Sequence, residues 1–178
     1  CDNLVLTDGY AFKAPFEFTA AATSYTRNFS DFVNKTTTVC LPFALTASEA
    51  SAFGTFYELD GFDGSTLHFT SVEAPVANTP YLVLPTTASL SLNETNKTIV
   101  ATPASLGKTE SNVEFIGTLA ATAIPASDES VSYYAYNNGS LVKIVNKAAT
   151  LPAFRAYFKV TENGNPSRNL SISFDERD

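Results

Sequence analysis

The chain has 178 residues, a mass of 19.1 kDa, 44% hydrophobic residues and a mean hydropathy of +0.01. That is enough apolar material for a packed core and too much for an intrinsically disordered chain. The net charge is −7 and the pI about 4.6, with 11 Lys and Arg spread thinly, so a counterion-releasing nucleic-acid face is excluded and an anionic membrane surface is disfavoured. Neutral partners such as sugars remain open, and no apolar run approaches the roughly 20 residues that a membrane-crossing helix needs.

Charged residues make up 16% of the chain, against a usual ~25%, and 17 Ser with 22 Thr fill the gap. Short alternating runs rich in Phe, Tyr, Thr and Val suit a pleated, half-buried surface. In chain order the predicted strands begin with Asn3–Thr7, which meets an Asp8-Gly9 turn, then Phe16–Ala21 and Ser24–Phe29. Thr37–Pro42 follows, ending at a proline. Thr46-Ala47-Ser48-Glu49 has capping-box spacing and predicts a short helix near 46–52, soon stopped by Gly54. Thr55–Leu59 runs into Asp60-Gly61, and Thr66–Ser71 follows Asp63-Gly64. Tyr81–Leu84 is continuously apolar between Pro80 and Pro85, the pattern of a strand covered on both faces.

Leu90–Leu92, Thr98–Ala101 and Val113–Thr118 are weaker strands, and Ala101–Ser111 and Ala120–Ser130 read as loops. Val131–Tyr136 and Leu141–Val145 flank Asn137-Asn138-Gly139-Ser140, a hairpin whose Asn-Gly pair accepts positive φ. Ala153–Val160 and Leu170–Phe174 close the chain around Asn163-Gly164-Asn165-Pro166. The expected fold is all-β: an antiparallel β-sandwich, with a jelly-roll or barrel as the alternative, in one domain over residues 1–178.

Chemistry-bearing constellations are sparse. A Ser-His-Asp triad would have to use His68, the single histidine, and no Gly-x-Ser-x-Gly elbow is present. Alternation places His68 with Thr66 and Thr70, opposite Leu67 and Phe69, so a surface strand histidine is expected. Two cysteines and one histidine lack zinc spacing. Asp60 and Asp63 in a turn are a weak calcium candidate without the ladder of an EF-hand. No phosphate-binding glycine loop exists, and no cofactor is expected. A glycosidase would need two carboxylates drawn from Glu58, Asp60, Asp63, Glu73, Glu110 and Glu114, none of which sits in a motif.

Cys1 and Cys40 leave three readings open: a disulfide, two free thiols, or a lipidated Cys1. Six Asn-x-Ser/Thr sequons (Asn28, Asn34, Asn93, Asn96, Asn138, Asn169) read as Thr-rich surface strands and turns. Tyr134 and Tyr136 share a strand face. If the Val131 face is core, they form a sugar-stacking platform; otherwise they pack across strands. Arg155, alternating with Phe154, either faces water or pairs internally.

Several blocks resemble a recurrent module of Bacteroidetes surface and secreted proteins. They are Asn3-Leu4-Val5-Leu6-Thr7-Asp8-Gly9-Tyr10 with Phe12 and Pro15, Phe18-Thr19-Ala20, Tyr25-Thr26-Arg27 and Val39-Cys40-Leu41-Pro42-Phe43. Ala77-Asn78-Thr79-Pro80-Tyr81, Phe154-Arg155-Ala156-Tyr157-Phe158 and Leu170-Ser171-Ile172-Ser173-Phe174-Asp175 complete the set. Such modules usually end large multi-domain proteins described only as hypothetical surface or adhesion proteins. The resemblance implies an extracytoplasmic location, further chain upstream of Cys1, and no catalytic residues. The expected task is non-catalytic adhesion or scaffolding, with surface glycans or neighbouring proteins as partners. A carbohydrate-binding module is the first alternative and a glycoside hydrolase the second.

Overall fold

The computed structural model describes residues 1–137, 139–162 and 170–175. They form fifteen strands, a single 3₁₀ turn at Ser30–Phe32 and one short helix, and the architecture is an all-β sandwich. The hairpin residue Asn138, the turn residues 163–166 and the sequon residue Asn169 lie outside the described residues.

The first sheet contains β1 (Asn3–Thr7), β2 (Phe18–Asn28) and β7 (Ser89–Ile99) in the order β1-β2-β7. The second contains β3 (Thr37–Cys40), β4 (Gly54–Phe62), β5 (Thr66–Val72), β6 (Pro80–Pro85) and β15 (Ser171–Asp175), ordered β15-β5-β4-β6-β3. The third contains β8 (Gly107–Glu110), β9 (Val113–Gly117), β11 (Val131–Asn137), β12 (Ser140–Lys143) and β14 (Ala156–Thr161), ordered β12-β11-β14-β9-β8. A ribbon of β10 (Thr122–Ile124) and β13 (Ala149–Leu151) completes the set.

The second sheet is the middle layer. One face contributes Val39, Phe56, Tyr81 and Val83 to a core shared with Leu6, Ala20, Tyr25, Leu90, Leu92 and Ile99 of the first sheet. The other face contributes Tyr57, Leu59, Leu67, Phe69 and Leu82 to a core shared with Val113, Phe115, Tyr134, Phe158 and Val160 of the third. Period-2 alternation of side chains produces this division. It explains why Tyr81, Leu82 and Val83 are all buried, as the continuous apolar run predicts.

The helix α1 (Ala47–Phe53) starts on the expected capping box. Thr46 Oγ1 accepts from the Glu49 amide and Glu49 Oε1 accepts from the Thr46 amide. It runs one residue past the predicted span and stops at Gly54, where a Cβ would overlap the Leu84 carbonyl oxygen. This close approach lets β4 leave the helix directly into its pairing with β6.

Several expectations need correction. The two predicted strands of 16–29 are one strand, β2, and the two of 90–101 are one, β7. The long antiparallel pairing of β2 with β7 supplies partners that hold the polar positions between the apolar runs. Asp60-Gly61 is no turn, because β4 continues through it with a register shift between Leu59 and Gly61. The stretches read as loops contain β8 and β10. The sandwich is not wholly antiparallel either: β1 pairs with β2, and β15 with β5, in parallel.

Candidate functional site

The pair Tyr134 and Tyr136 is not a displayed platform. Pairing of Tyr134 with Phe158 turns the Ser132–Tyr134–Tyr136 face inward, leaving Tyr134 5% exposed in the core. Tyr136 packs at the margin of that core, and its hydroxyl hydrogen-bonds Thr36. The outer face instead carries Tyr133 and Tyr157, whose rings lie 6.5 Å apart. The cross-strand packing alternative therefore describes these tyrosines.

Asp60 and Asp63 are engaged separately. Asp60 Oδ2 accepts from the Thr70 hydroxyl at 2.8 Å, while Asp63 Oδ1 accepts from the Ser65 and Thr66 amides at 3.0 and 2.8 Å. Among the described residues no three His, Cys, Asp or Glu side chains gather as a metal site. The other carboxylates proposed for a glycosidase are dispersed: Glu58 pairs with Lys108 at 3.5 Å, and Glu73 lines a shallow cavity of about 470 Å³ beside α1 with Ser48, Ser51 and Ser71. Glu110 lies on β8 and Glu114 on β9.

The carboxyls that do meet are Glu49 and Glu94, beside a depression of about 270 Å³. Burial would raise Glu49, but Glu94, Lys97 and Thr46 hold it at about 2. The hydrogen bond to Glu49 raises Glu94. Lys97 Nζ, 2.6 Å from Glu49 Oε1 and 2.9 Å from the Ala44 carbonyl, occupies the cation position there. The sequence marks Glu49 only as the capping-box residue of α1 and gives no sign that Glu94 meets it.

Cys1 and Cys40 form no disulfide in the structure, so that reading is corrected. Cys1 is exposed. Cys40 is fully buried against Gly117, and burial pushes its thiol up to about 12. Thiol reagents should therefore label one cysteine in the native protein and two after denaturation. Two rapid native labels would show that Cys40 is open to solvent.

The strongest polar cluster joins residues far apart in the chain. Arg155 grips Asp8 with two hydrogen bonds of 2.8 and 3.0 Å, and the Tyr25 hydroxyl donates to Asp8 Oδ1 at 2.7 Å. Arg27, 4% exposed, donates to the carbonyls of Thr38 (2.9 Å) and Phe154 (3.3 Å) and lies over the Phe29 ring. Burial lowers Arg27 to about 10. Burial alone would raise Asp8, yet the bonds from Arg155 and Tyr25 hold it below its ordinary 3.8. Phe154 sits at φ 65°, and its carbonyl accepts from both arginines. Internal pairing is thus the observed role of Arg155.

This cluster underlies a groove of about 340 Å³ lined by Val5, Leu6, Thr7, Tyr10, Phe12 and Phe154. Leu6 and Phe154 are buried at its base, whereas Val5 is 63% and Tyr10 72% exposed at its rim. The isolated bridge Gly9–Ala153 and the bond from the Phe12 amide to the Leu119 carbonyl (2.7 Å) fasten the segment that carries Tyr10. Sequence reading placed Tyr10 in a recognisable block but gave no sign that it stands out from the surface.

A second polar constellation lies on the half-exposed face of β5 and β15. The parallel register sets Ser173 opposite His68. Ser173 Oγ is 2.7 Å from His68 Nδ1, and His68 Nε2 is 3.2 Å from Asp63 Oδ2. His68 shares this face with Thr66 and Thr70, as alternation predicts. The serine and aspartate beside it were not foreseen.

No family model matches the chain, and neither a curated protein nor a solved structure matches it. Among the described residues no helix is long and apolar enough to cross a membrane, which says nothing of β-barrels.

Proposed function

We propose that the chain is an extracytoplasmic adhesion or scaffolding module of a bacterial surface protein and that the Val5–Tyr10 groove is its contact surface. The observation that carries this reading is the groove's construction. Two large apolar side chains face water above a base fastened by the Asp8–Arg155–Tyr25 cluster. Rigid, exposed tyrosine gives wide contact area at low entropic cost, which is what a binding surface needs. The sequence resemblance to Bacteroidetes surface modules supports the same reading.

Carbohydrate binding is the second reading, and Tyr10 favours it, since an exposed phenol ring can stack on a neutral sugar while the acidic chain repels anionic polymers. A panel of host mucin glycans and dietary polysaccharides, together with immobilised surface proteins, tests both. Tyr10→Ala should weaken binding to any captured ligand by roughly tenfold or more. It should leave stability within about 0.5 kcal/mol, because the side chain is exposed. Undiminished binding by Tyr10→Ala, at unchanged stability, would remove the groove from the contact surface.

A further inference from the structure

We propose that Ser173, His68 and Asp63 form an acyl-transfer triad that hydrolyses small acyl esters presented on an open surface. This activity is separate from binding in the Val5–Tyr10 groove.

The proton positions follow from the contacts. Asp63 is held ionised, as the amides of Thr66 and Ser65 and the His68 ring keep its carboxyl down at about 2. An ionised carboxylate only accepts, so its bond with His68 requires the proton on Nε2. In the neutral ring the other nitrogen, Nδ1, is then the acceptor, and the Ser173 hydroxyl at 2.7 Å donates to it. One tautomer therefore satisfies both contacts and sets up nucleophile, base and orienting carboxylate in a line. Two separate anchors fix its ends. Asp63 Oδ1 is tied by the Ser65 and Thr66 amides, and Ser173 is tied by parallel pairing of β15 with β5. The histidine side chain keeps 39% of its surface exposed, so a substrate can reach the serine from solvent.

In the reaction Ser173 Oγ bonds to the acyl carbon while its proton passes to His68 Nδ1, and Asp63 stabilises the imidazolium. The bond from acyl carbon to alcohol oxygen then breaks, and His68 returns the proton to the departing alcohol. Water, deprotonated by His68, then attacks the acyl carbon; the bond from that carbon to Ser173 Oγ breaks, His68 returns the proton to Oγ, and the carboxylic acid leaves. No oxidant, reductant or cofactor enters this balance. The open sheet face suits a short acyl group carried on a larger alcohol.

The test uses the full chain with Cys1 alkylated and p-nitrophenyl acetate as the probe. The expected result is a burst of one p-nitrophenolate per chain and a rate about 100-fold above that of Ser173→Ala. His68→Gln should lose the same activity, and Asp63→Asn most of it. A fluorophosphonate reagent applied to the unmutated chain should label Ser173, as read by mass spectrometry of the peptides. A label absent from Ser173 overturns the proposal, whatever the variants do. So does a Ser173→Ala protein with unchanged thermal unfolding and unchanged hydrolysis. A lowered unfolding temperature with no label would show that the three residues only fasten β15 to β5.

Discussion

Phe69→Ala is expected to lower folding stability by about 3–5 kcal/mol, the usual range for emptying a buried aromatic site. Phe69 is fully buried on β5 and sits at the centre of the contact between the middle and third sheets. Its ring meets Phe115 edge-on at 5.7 Å and Phe158 at 6.1 Å, while Phe115 and Phe158 stack on each other at 4.4 Å. Removing it deletes a transfer contribution and three aromatic contacts, to Phe115, Phe158 and Phe174, each of about 0.5–1.5 kcal/mol. The surrounding strands are held by backbone ladders and close the void only in part. For a chain of this size the loss corresponds to a fall of roughly 6–20 °C in Tm. Urea denaturation should show a lower midpoint at an unchanged slope. Phe174→Ala, at a site 39% exposed on the same cluster, should cost much less. A loss below about 1 kcal/mol for Phe69→Ala would mean that the two sheets do not meet as described.

Asp8→Ala should be the most damaging polar change, at about 2–4 kcal/mol. It leaves the half-buried Arg155 guanidinium and the buried Tyr25 hydroxyl without their shared acceptor. Breaking a fully buried pair costs about 3–5 kcal/mol; partial exposure of Asp8 and Arg155 reduces that figure. The same residue predicts acid sensitivity. Its folded pKa lies below the unfolded value near 3.8, so its contribution is complete above that pH and lost as pH falls through the folded pKa. Stability measured against pH should therefore decline below about pH 4, and Asp8→Ala should flatten part of that decline. Glu49 and Asp63, both near 2, act in the same direction and leave a residual slope. Equal acid slopes in the two proteins would remove Asp8 from the account.

Some of this was legible in the residues. The Tyr81–Leu84 run between two prolines announced a strand covered on both faces, because a half-exposed strand would have alternated. The Thr46–Glu49 spacing announced the cap of α1, because its hydrogen bonds are local. The Asn-Gly pair announced the hairpin of β11 and β12. The inward face of Val131–Tyr136 was not legible. Ser132 and Tyr134 read as polar or amphipathic, Val131 and Ala135 as apolar, and only the pairing of Tyr134 with Phe158 decides which set meets the core.

The sequence by itself determined the strand-rich composition, the helix start, the turn chemistry and the doubly covered strand, since each depends on neighbours a few residues apart. The tertiary structure decided the three-layer stacking, the parallel pairings at β1 and β15, and every polar constellation of interest. Asp8 meets Arg155 across 147 positions and His68 meets Ser173 across 105. Such meetings depend on sheet order and register, which arise from how whole faces exclude water together and from no local pattern.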